Sequence, residues 1–205
     1  MLPSVRMYRR KDAFYQRAKI AGYRSRAAYK LIELNQRLRL IQRGDRVLDL
    51  GAWPGGWLQV AAEAVGPRGR VVGVDIKAIE PLPQPWVRIL FGSAADENVR
   101  GRIADALGGV ADVILSDMAP KVTGVRDRDE VNANELVLLA ASIAREFLRP
   151  GGKLLVKLYA GSAMREALSE LSEVFTEVRT TRPKATRKES SELYALASGL
   201  RPQHS

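Results

Sequence analysis

The segment with the clearest chemical potential is DLGAWPGGW, residues 49–57. Its three glycines allow the backbone to turn tightly and approach a ligand before a helix begins. The segment does not read G-x-G-x-x-G, and the carboxylate of Asp49 would repel a pyrophosphate but attract a cation. Asp75, at the end of the next apolar segment, suits hydrogen bonds to a ribose diol. The combination favours S-adenosylmethionine, with its positive sulfonium and ammonium groups, over two alternatives, a dinucleotide and a purely structural loop.

Three further charged residues, Asp117, Lys157 and Glu192, lie in or beside apolar segments. A lysine inside LLVKLY is costly to bury unless it is paired or used in chemistry. Burial would lower the pKa of Lys157 and make its amine available as a base, whereas nearby carboxylates would raise that pKa. The ordinary alternatives are a loop cap for Asp117, a structural ion pair or snorkelling for Lys157, and an ion pair with Arg187 or Lys188 for Glu192.

The elements that would position these residues alternate along the chain. Apolar segments predict strands at 46–52, 70–76, 86–92, 111–117 and 153–159. Helices are predicted at 26–40, with Ser25 as N-cap, and at 57–65, 96–107, 133–149 and 162–173. This alternation is typical of a doubly wound α/β sheet.

The last two predicted strands, 174–181 and 191–198, should pair antiparallel because the loop between them is too short for a helical crossover. The start of the final strand would then share a sheet edge with the carboxyl ends of the parallel strands. We therefore expect Asp117, Lys157 and Glu192 to converge beside the glycine loop.

The formal net charge of +10 is concentrated at the start of the chain. Residues 1–46 hold 13 basic and 3 acidic side chains, whereas the basic and acidic side chains of residues 47–205 balance. Basic residues interleaved with aromatic ones favour a nucleic-acid surface over a solvated basic face or a membrane-surface patch. The candidate contacts are Arg6, Arg9, Arg10, Lys11, Arg17, Lys19, Arg24 and Arg26, with a second patch at Arg182, Lys184, Arg187 and Lys188.

Composition excludes several other chemistries. The chain has no Cys, which excludes disulfides, Cys-ligated zinc and thiol nucleophiles. Its one His is His204, which argues against a Ser-His-Asp triad or a multi-His metal site, and no metal is expected. There is no apolar run of 18 residues and no secretory signal, so a soluble, cytoplasmic protein is expected.

Six segments resemble, in order, the FtsJ/RrmJ family of S-adenosylmethionine-dependent ribosomal RNA ribose 2′-O-methyltransferases. They are RSRAAYKL (24–31), DLGAWPGGW (49–57), VDIK (74–77), SDMAP (116–120), LLVKLY (154–159) and SSELY (190–194). The resemblance implies a Rossmann-like methyltransferase fold, with a seven-stranded sheet of order 3-2-1-4-5-7-6 and strand 7 antiparallel. It also implies a catalytic tetrad of Lys30, Asp117, Lys157 and Glu192, in which we interpret Lys157 as the general base.

The same resemblance implies a cofactor site. Its predicted members are Asp49, Gly51, Ala52, Trp53, Pro54, Gly55, Gly56, Trp57, Asp75, Ile76, Gly92, Ser93 and Asp117. Relatives usually carry an Asp directly after the glycine that ends the third strand, where it contacts the adenine amino group. Here Ser93 follows Gly92, so either Ser93 or the nearby Asp96 would take that contact.

The resulting prediction is 2′-O-methylation of a ribose in RNA, with a uridine in large-subunit (23S-type) ribosomal RNA as the target. Residues 1–45 would form a basic RNA-binding extension with the first helix, and residues 46–200 a catalytic domain, within one compact monomer. Transfer RNA or an mRNA cap is the alternative substrate. A small-molecule methyltransferase and a non-catalytic RNA-binding ribosome assembly factor are alternatives of other classes.

Overall fold

One mixed sheet with helices on both faces organises the molecule. The computed structural model describes residues 13–120, 123, 124, 126–187 and 190–202. The strands are β1 (Arg46–Leu50), β2 (Arg70–Asp75), β3 (Val87–Phe91), β4 (Ala111–Ser116), β5 (Leu148–Tyr159), β6 (Phe175–Thr181) and β7 (Glu192–Leu200). The helices are α1 (Ala13–Ile20), α2 (Ala28–Leu38), α3 (Gly56–Val65), α4 (Glu97–Leu107), α5 (Arg126–Phe147) and α6 (Met164–Val174).

The strand order is β3-β2-β1-β4-β5-β7-β6, which confirms the predicted sheet. Strands β1 to β5 pair in parallel, and β7 runs antiparallel to both β5 and β6. The order reverses direction between β1 and β4, and open α/β sheets bind ligands at such a point, beyond the carboxyl ends of the strands. The same edge receives the start of β7, because Glu192 pairs with Tyr159 at the end of β5.

Two apolar layers hold the sheet between its helices. One layer packs α4, α5 and α6 onto alternate strand residues such as Leu48 and Val72. The other packs α2 and α3 onto the intervening residues such as Val47 and Val71. This division follows from the two-residue period of a strand, which sends successive side chains to opposite faces.

The start of the chain and α5 differ from the sequence prediction. Ser25 does not cap α2, which begins after Ala27 without a side-chain cap; the Ser25 hydroxyl instead lies against Gly56 at the start of α3. Helix α1, which was not predicted from the sequence, precedes α2. Helix α5 begins earlier than residue 133, and Asp129 in its first turn accepts hydrogen bonds from the main chain of Thr123 (2.7 Å) and Gly124 (3.2 Å).

Candidate active site

The four residues of the predicted tetrad lie together at the carboxyl edge of the sheet. Lys157, on β5, donates through Nζ to Asp117 Oδ1 and to the Asp117 carbonyl, each at 2.8 Å. Lys30, on α2, forms a close ion pair with Glu192, whose second oxygen lies 4.0 Å from Lys157 Nζ. Their side chains are between 7% and 17% exposed. Folding therefore joins two nearly buried ion pairs from four separate elements of the chain.

Tyr194 connects the two ion pairs, and its role was missed at the sequence level. Its fully buried hydroxyl lies 2.7 Å from Asp117 Oδ1, 3.1 Å from Glu192 Oε1 and 3.5 Å from Lys30 Nζ. A phenol has one proton, so it donates to one carboxylate at a time while Lys30 donates to it. The signal that could have revealed it is the spacing on β7, because residues two apart on a strand share a face.

The structure decides the direction in which the pKa of Lys157 shifts, which the sequence alone left open. Burial by itself would lower the pKa of Lys157, but the charge and hydrogen bond of Asp117, together with Tyr159 and Glu192, outweigh it and the net pKa is raised. Burial raises the pKa of Glu192, but the hydrogen bond and charge of Lys30 reverse this and the net pKa is lowered. Burial and the two carboxylates raise the pKa of Tyr194 well above its usual value. At neutral pH Lys157 therefore rests as an ammonium, Glu192 as a carboxylate and Tyr194 as a neutral phenol.

Tyr194→Phe should lower kcat for methyl transfer by about tenfold to a hundredfold, because a hydrogen bond to a charged group contributes about 1.5–3 kcal/mol. The affinity for S-adenosylmethionine should be unchanged, and the pH dependence of kcat should shift because Asp117 and Glu192 lose the one donor that they share. Steady-state kinetics across pH provides the measurement. Tyr23→Phe is the matched control, since its hydroxyl donates to the surface residue Glu63 at 2.8 Å. A Tyr194→Phe enzyme with wild-type kcat and pH profile would contradict this positioning role.

A cavity of about 510 Å³ opens beside the tetrad, where the strand order reverses. Seven predicted cofactor residues line it: Gly51, Trp53, Asp75, Ile76, Gly92, Ser93 and Asp117. Asp117 thus belongs to both the cavity and the tetrad. Gly51 has φ +74°, and a Cβ atom there would lie 2.5 Å from Met118 Cγ, so this close approach of two loops requires glycine.

The cavity wall also includes residues that were not predicted as cofactor contacts. Leu136 and Leu139 reach it from α5, and Lys77 reaches it from the loop after β2. Lys77 Nζ lies 4.2 Å from the centre of the half-exposed Trp53 ring, a cation–π arrangement that orders the cavity rim.

Asp49 supplies the strongest evidence for a cationic ligand. It does not itself line the cavity: its side chain is fully buried near the end of β1, and within the described part of the chain neither carboxylate oxygen has a hydrogen-bond partner. Burial, followed by the charges of Asp117 and Asp75, raises the pKa of Asp49 well above its usual value. A buried carboxylate without a partner is unfavourable, and a positive group in the adjacent cavity would offset that cost. The residues present therefore fit the ammonium and sulfonium of S-adenosylmethionine.

Asp75 and Ser93 both line the cavity, and we expect them to contact the nucleoside half of that cofactor. Asp75 accepts hydrogen bonds from the main-chain N–H groups of Trp53 and Lys77, each at 2.8 Å, and a carboxylate has further lone pairs for a diol. Ser93 lines the cavity, whereas Asp96 caps α4 by accepting from Asn98 N at 2.8 Å. Between the two candidates for the adenine contact, the structure favours Ser93.

The other predicted cofactor residues support the loop from behind or from outside the cavity wall. Ala52, Gly56 and Trp57 are buried, and the Trp57 indole donates to Ala27 O at 2.8 Å. Pro54 is partly exposed, and Gly55 closes the turn by donating to Ala52 O at 2.7 Å. We therefore expect these five residues to shape the loop rather than to contact the cofactor.

Part of the predicted basic surface lies in the described residues. Arg17 and Lys19 are exposed on α1, with the Arg17 guanidinium 4.9 Å from the centre of the Tyr29 ring. Arg24 instead donates to the main-chain carbonyls of Glu80 (2.5 Å) and Pro81 (2.8 Å), so we assign it to holding the loop after β2. The predicted contacts Arg6, Arg9, Arg10, Lys11 and Lys188 lie outside the described residues.

The second predicted basic patch forms the loop between β6 and β7. Arg182 donates to the carbonyls of Ser190 (2.5 Å) and Arg187 (3.2 Å), which closes this loop on itself. The main-chain N–H of Lys184 donates to the Glu33 carboxylate at 2.8 Å and so ties the loop to α2. Arg26, near the start of α2, is partly exposed. The loop is thereby fixed to the helix that carries Lys30.

Comparison with known proteins decides the family. A family model described as FtsJ-like methyltransferase matches residues 23–200. The chain belongs to the FtsJ-like methyltransferase family. This confirms the family, the enzyme class and the S-adenosylmethionine cofactor that were predicted from sequence.

Relatives of known name belong to the same family. The chain is 46% identical over 190 residues to a Methanothrix thermoacetophila protein named ribosomal RNA large subunit methyltransferase E, covering 93% of this chain and 73% of that protein. It is 44% identical over 188 residues to the Methanothermobacter thermautotrophicus protein of the same name, covering 92% and 89%.

Solved structures agree with the fold of an FtsJ-like enzyme. A Plasmodium falciparum protein described as a ribosomal RNA methyltransferase superposes with a TM-score of 0.75 at 31% identity, covering 87% of this chain and 98% of that one. Aeropyrum pernix fibrillarin in complex with S-adenosylmethionine superposes with a TM-score of 0.59 at 20% identity, covering 85% and 75%. The second likeness concerns the fold alone.

The described part of the chain holds neither a metal-ion cluster nor a membrane-spanning helix. Among the described residues, no group of three or more His, Asp or Glu side chains is arranged to hold a metal ion. Within the same part of the chain, no helix is both long and apolar enough to cross a membrane.

Proposed function

We propose that this FtsJ-like enzyme transfers a methyl group from S-adenosylmethionine to the 2′-hydroxyl of a uridine in large-subunit, 23S-type ribosomal RNA. The observation that carries the proposal is the position of Asp117, which lines the cofactor cavity and also accepts a hydrogen bond from Lys157. A nucleophile held by the tetrad would therefore lie beside the methyl donor. Holding both reactants in line supplies much of the acceleration of such a reaction.

Each residue of the tetrad has a distinct part in this mechanism. S-adenosylmethionine, when bound along Asp49, Asp75 and the glycine loop, supplies an electrophilic methyl group on a positive sulfur. Lys157, as the free amine, accepts the proton of the 2′-hydroxyl while the oxygen forms its bond to the methyl carbon and the carbon–sulfur bond breaks. Asp117 orients that amine and stabilises the ammonium it becomes. Lys30 and Glu192 position the ribose. Lys30 and Tyr194 hold the Glu192 carboxylate in place, and Tyr194 also holds that of Asp117.

The pH dependence of kcat should follow the loss of a proton from the Lys157 ammonium group. Since the pKa of Lys157 is raised by its carboxylate neighbours, only a small fraction of the amine is free at neutral pH, and kcat should rise as pH increases above 7. Asp117→Asn should move this rise to lower pH, because it removes the charge that most raises the pKa. Single-turnover rates between about pH 7 and 10 provide the test. A rate that is constant over this range while transfer is rate-limiting would contradict proton removal by Lys157.

Ribosomal RNA is supported as the substrate by two independent features. The relatives described above are named for ribosomal RNA, and the excess positive charge of this chain lies in residues 1–46, which include Lys30 of the tetrad. A basic extension of this kind is unnecessary for a small-molecule methyltransferase. The filled tetrad likewise disfavours a non-catalytic assembly factor. We place the enzyme in the cytoplasm, acting as a monomer.

The substrate class is tested by competition between acceptors. Methyl transfer should be measured with ribosomal RNA, large ribosomal subunits, transfer RNA, capped mRNA and small phenols, using the intact protein and a variant without residues 1–12. Ribosomal acceptors should be preferred, and the shortened variant should show a raised KM for RNA with little change in kcat, because it loses four predicted phosphate contacts. Preference for transfer RNA, for a cap or for a phenol would replace the proposed substrate.

A further inference from the structure

A further basic surface, separate from the two predicted ones, lies on the edge of the sheet opposite the active site. Four exposed arginines, Arg46, Arg68, Arg70 and Arg88, line an open groove of about 760 Å³ there. Arg46 and Arg70 begin β1 and β2, Arg68 lies in the turn before β2, and Arg88 is the second residue of β3. We call this surface the far-edge groove. Strands of five or six residues separate it from the active-site edge by about 15–20 Å.

The sheet register concentrates the charge of the far-edge groove. Arg46 and Arg70 are direct partners in the pairing of β1 with β2. Arg88 pairs with Val72, two residues further along β2 than Arg70, so the three guanidinium groups leave the same face of the sheet. Like charges directly opposite one another on neighbouring strands destabilise a sheet. The neighbouring arginines therefore repel one another, and an anion bound between them would relieve that repulsion.

In the part of the chain that the structure describes, the four arginine side chains lack carboxylate partners. Within the described chain, none of the four forms an ion pair with a carboxylate, although Asp105 also lines the groove. Arg70 donates to Ala106 O at 3.1 Å in the last turn of α4, and Arg88 donates to Pro85 O at 3.3 Å. These contacts leave most of the guanidinium donors unused. The partial negative charges at the ends of α3 and α4 amount to about half a charge each, well below four full positive charges.

We infer that the far-edge groove binds the phosphate backbone of a second segment of the RNA substrate. This inference rests on the proposed function, because a ribosomal RNA is the polyanion that would already be present when the active site is engaged. An arginine guanidinium group forms paired hydrogen bonds with two phosphate oxygens. Four such groups along one groove can therefore bind several successive phosphates. Because the groove and the tetrad face opposite edges, one short strand near the methylated ribose does not reach both. The groove thus favours folded or assembled RNA over a short oligonucleotide.

The test uses the full-length protein with three groove arginines replaced, as Arg46→Gln, Arg68→Gln and Arg88→Gln together. Arg70 is kept because it also holds the last turn of α4. The control carries Arg145→Gln, Arg165→Gln and Arg179→Gln, which remove the same charge from α5, α6 and β6, outside the groove. Affinity for protein-free full-length large-subunit ribosomal RNA is measured by filter binding over a range of salt concentrations. Thermal unfolding of all variants establishes that they fold.

The groove variant should bind the full-length RNA at least about tenfold more weakly, and its plot of log affinity against log salt should be shallower by about 2–3, as expected for lost phosphate contacts. Its kcat/KM with a short oligonucleotide that contains the target should equal that of the wild type. An unchanged salt slope, or an equal loss in the control, would overturn the inference, as would an equal loss of activity on the short oligonucleotide. The binding measurement needs no methyl transfer, so absence of methylation by the wild type would instead contradict the proposed function.

Discussion

Lys157→Ala should lower kcat for methyl transfer by about 100-fold to 10,000-fold, the range that removal of a general base produces. The affinity for S-adenosylmethionine should change little, because Lys157 does not line the cofactor cavity. Lys157→Arg should be nearly as inactive. It keeps a positive charge beside Asp117 and Glu192, but a guanidinium does not lose its proton at these pH values. Transfer rates, together with cofactor binding by calorimetry, separate loss of the base from loss of the site.

The matched control is Lys153→Ala on the same strand, since Lys153 donates to Arg39 O at 3.0 Å on the opposite side of the molecule from Asp117. It should retain activity. An active Lys157→Arg enzyme would show that Lys157 acts through its charge, and a fully active Lys157→Ala enzyme would remove it from the mechanism.

Asp49→Asn should weaken the binding of S-adenosylmethionine by about tenfold to a hundredfold, the loss expected when a charge-assisted contact is removed. Among the residues that the structure describes, the buried carboxyl of Asp49 has no hydrogen-bond partner, so a cationic cofactor would be the group that stabilises its negative charge. Isothermal calorimetry on wild type and variant provides the measurement. Asp96→Asn is the control, because the Asp96 carboxylate is already engaged in capping α4 through Asn98 N.

The same variant should make the cofactor-free protein more stable at neutral pH. Because the pKa of Asp49 is raised in the folded state, ionisation of this carboxyl opposes folding at pH values above its unfolded pKa of about 3.9. The stabilisation should disappear as pH falls towards that value. For a domain of this size each kcal/mol raises Tm by about 2–4 °C. A variant that binds the cofactor as tightly as the wild type, or that is less stable at pH 7 than at pH 4 relative to the wild type, would contradict this role.

Much of the fold follows from local patterns in the sequence. The apolar segments that became β1, β2 and β4 are buried on both faces, and their composition distinguishes them from surface strands. The antiparallel pairing of β7 was predictable because the loop before it is short. The N-terminus of α5 was less predictable, since it depends on hydrogen bonds from Thr123 and Gly124 to Asp129 rather than on apolar spacing.

The sequence predicted that the charged residues of the candidate site lie together, but it did not identify all of the neutral residues beside them. Asp117, Lys157 and Glu192 stand out because a charge beside an apolar strand is rare. Tyr194 does not stand out, because a tyrosine in a strand usually packs, and only the three-dimensional contacts show its hydroxyl between two carboxylates. The direction of the pKa shift of Lys157 also required the structure, since burial and the charge of Asp117 oppose one another.

The sequence and the structure differ most in where they place the positive charge. Along the chain, residues 47–205 are neutral on average, so the sequence places the positive excess in the first 46 residues. In space, Arg46, Arg68, Arg70 and Arg88 meet at one edge because the sheet aligns the starts of β1, β2 and β3. Such a cluster is not visible in a running sum, because its members are 42 positions apart from first to last.

The central claim is that the tetrad activates a ribose hydroxyl of ribosomal RNA. It is tested most directly by supplying isotopically labelled S-adenosylmethionine and large ribosomal subunits from cells that lack this enzyme, then digesting the RNA to nucleosides for mass spectrometry. We predict that the label is found in 2′-O-methyluridine and is absent when Lys157→Ala replaces the wild-type enzyme. Label on a base, or label in 2′-O-methyluridine that persists with Lys157→Ala, would contradict the account.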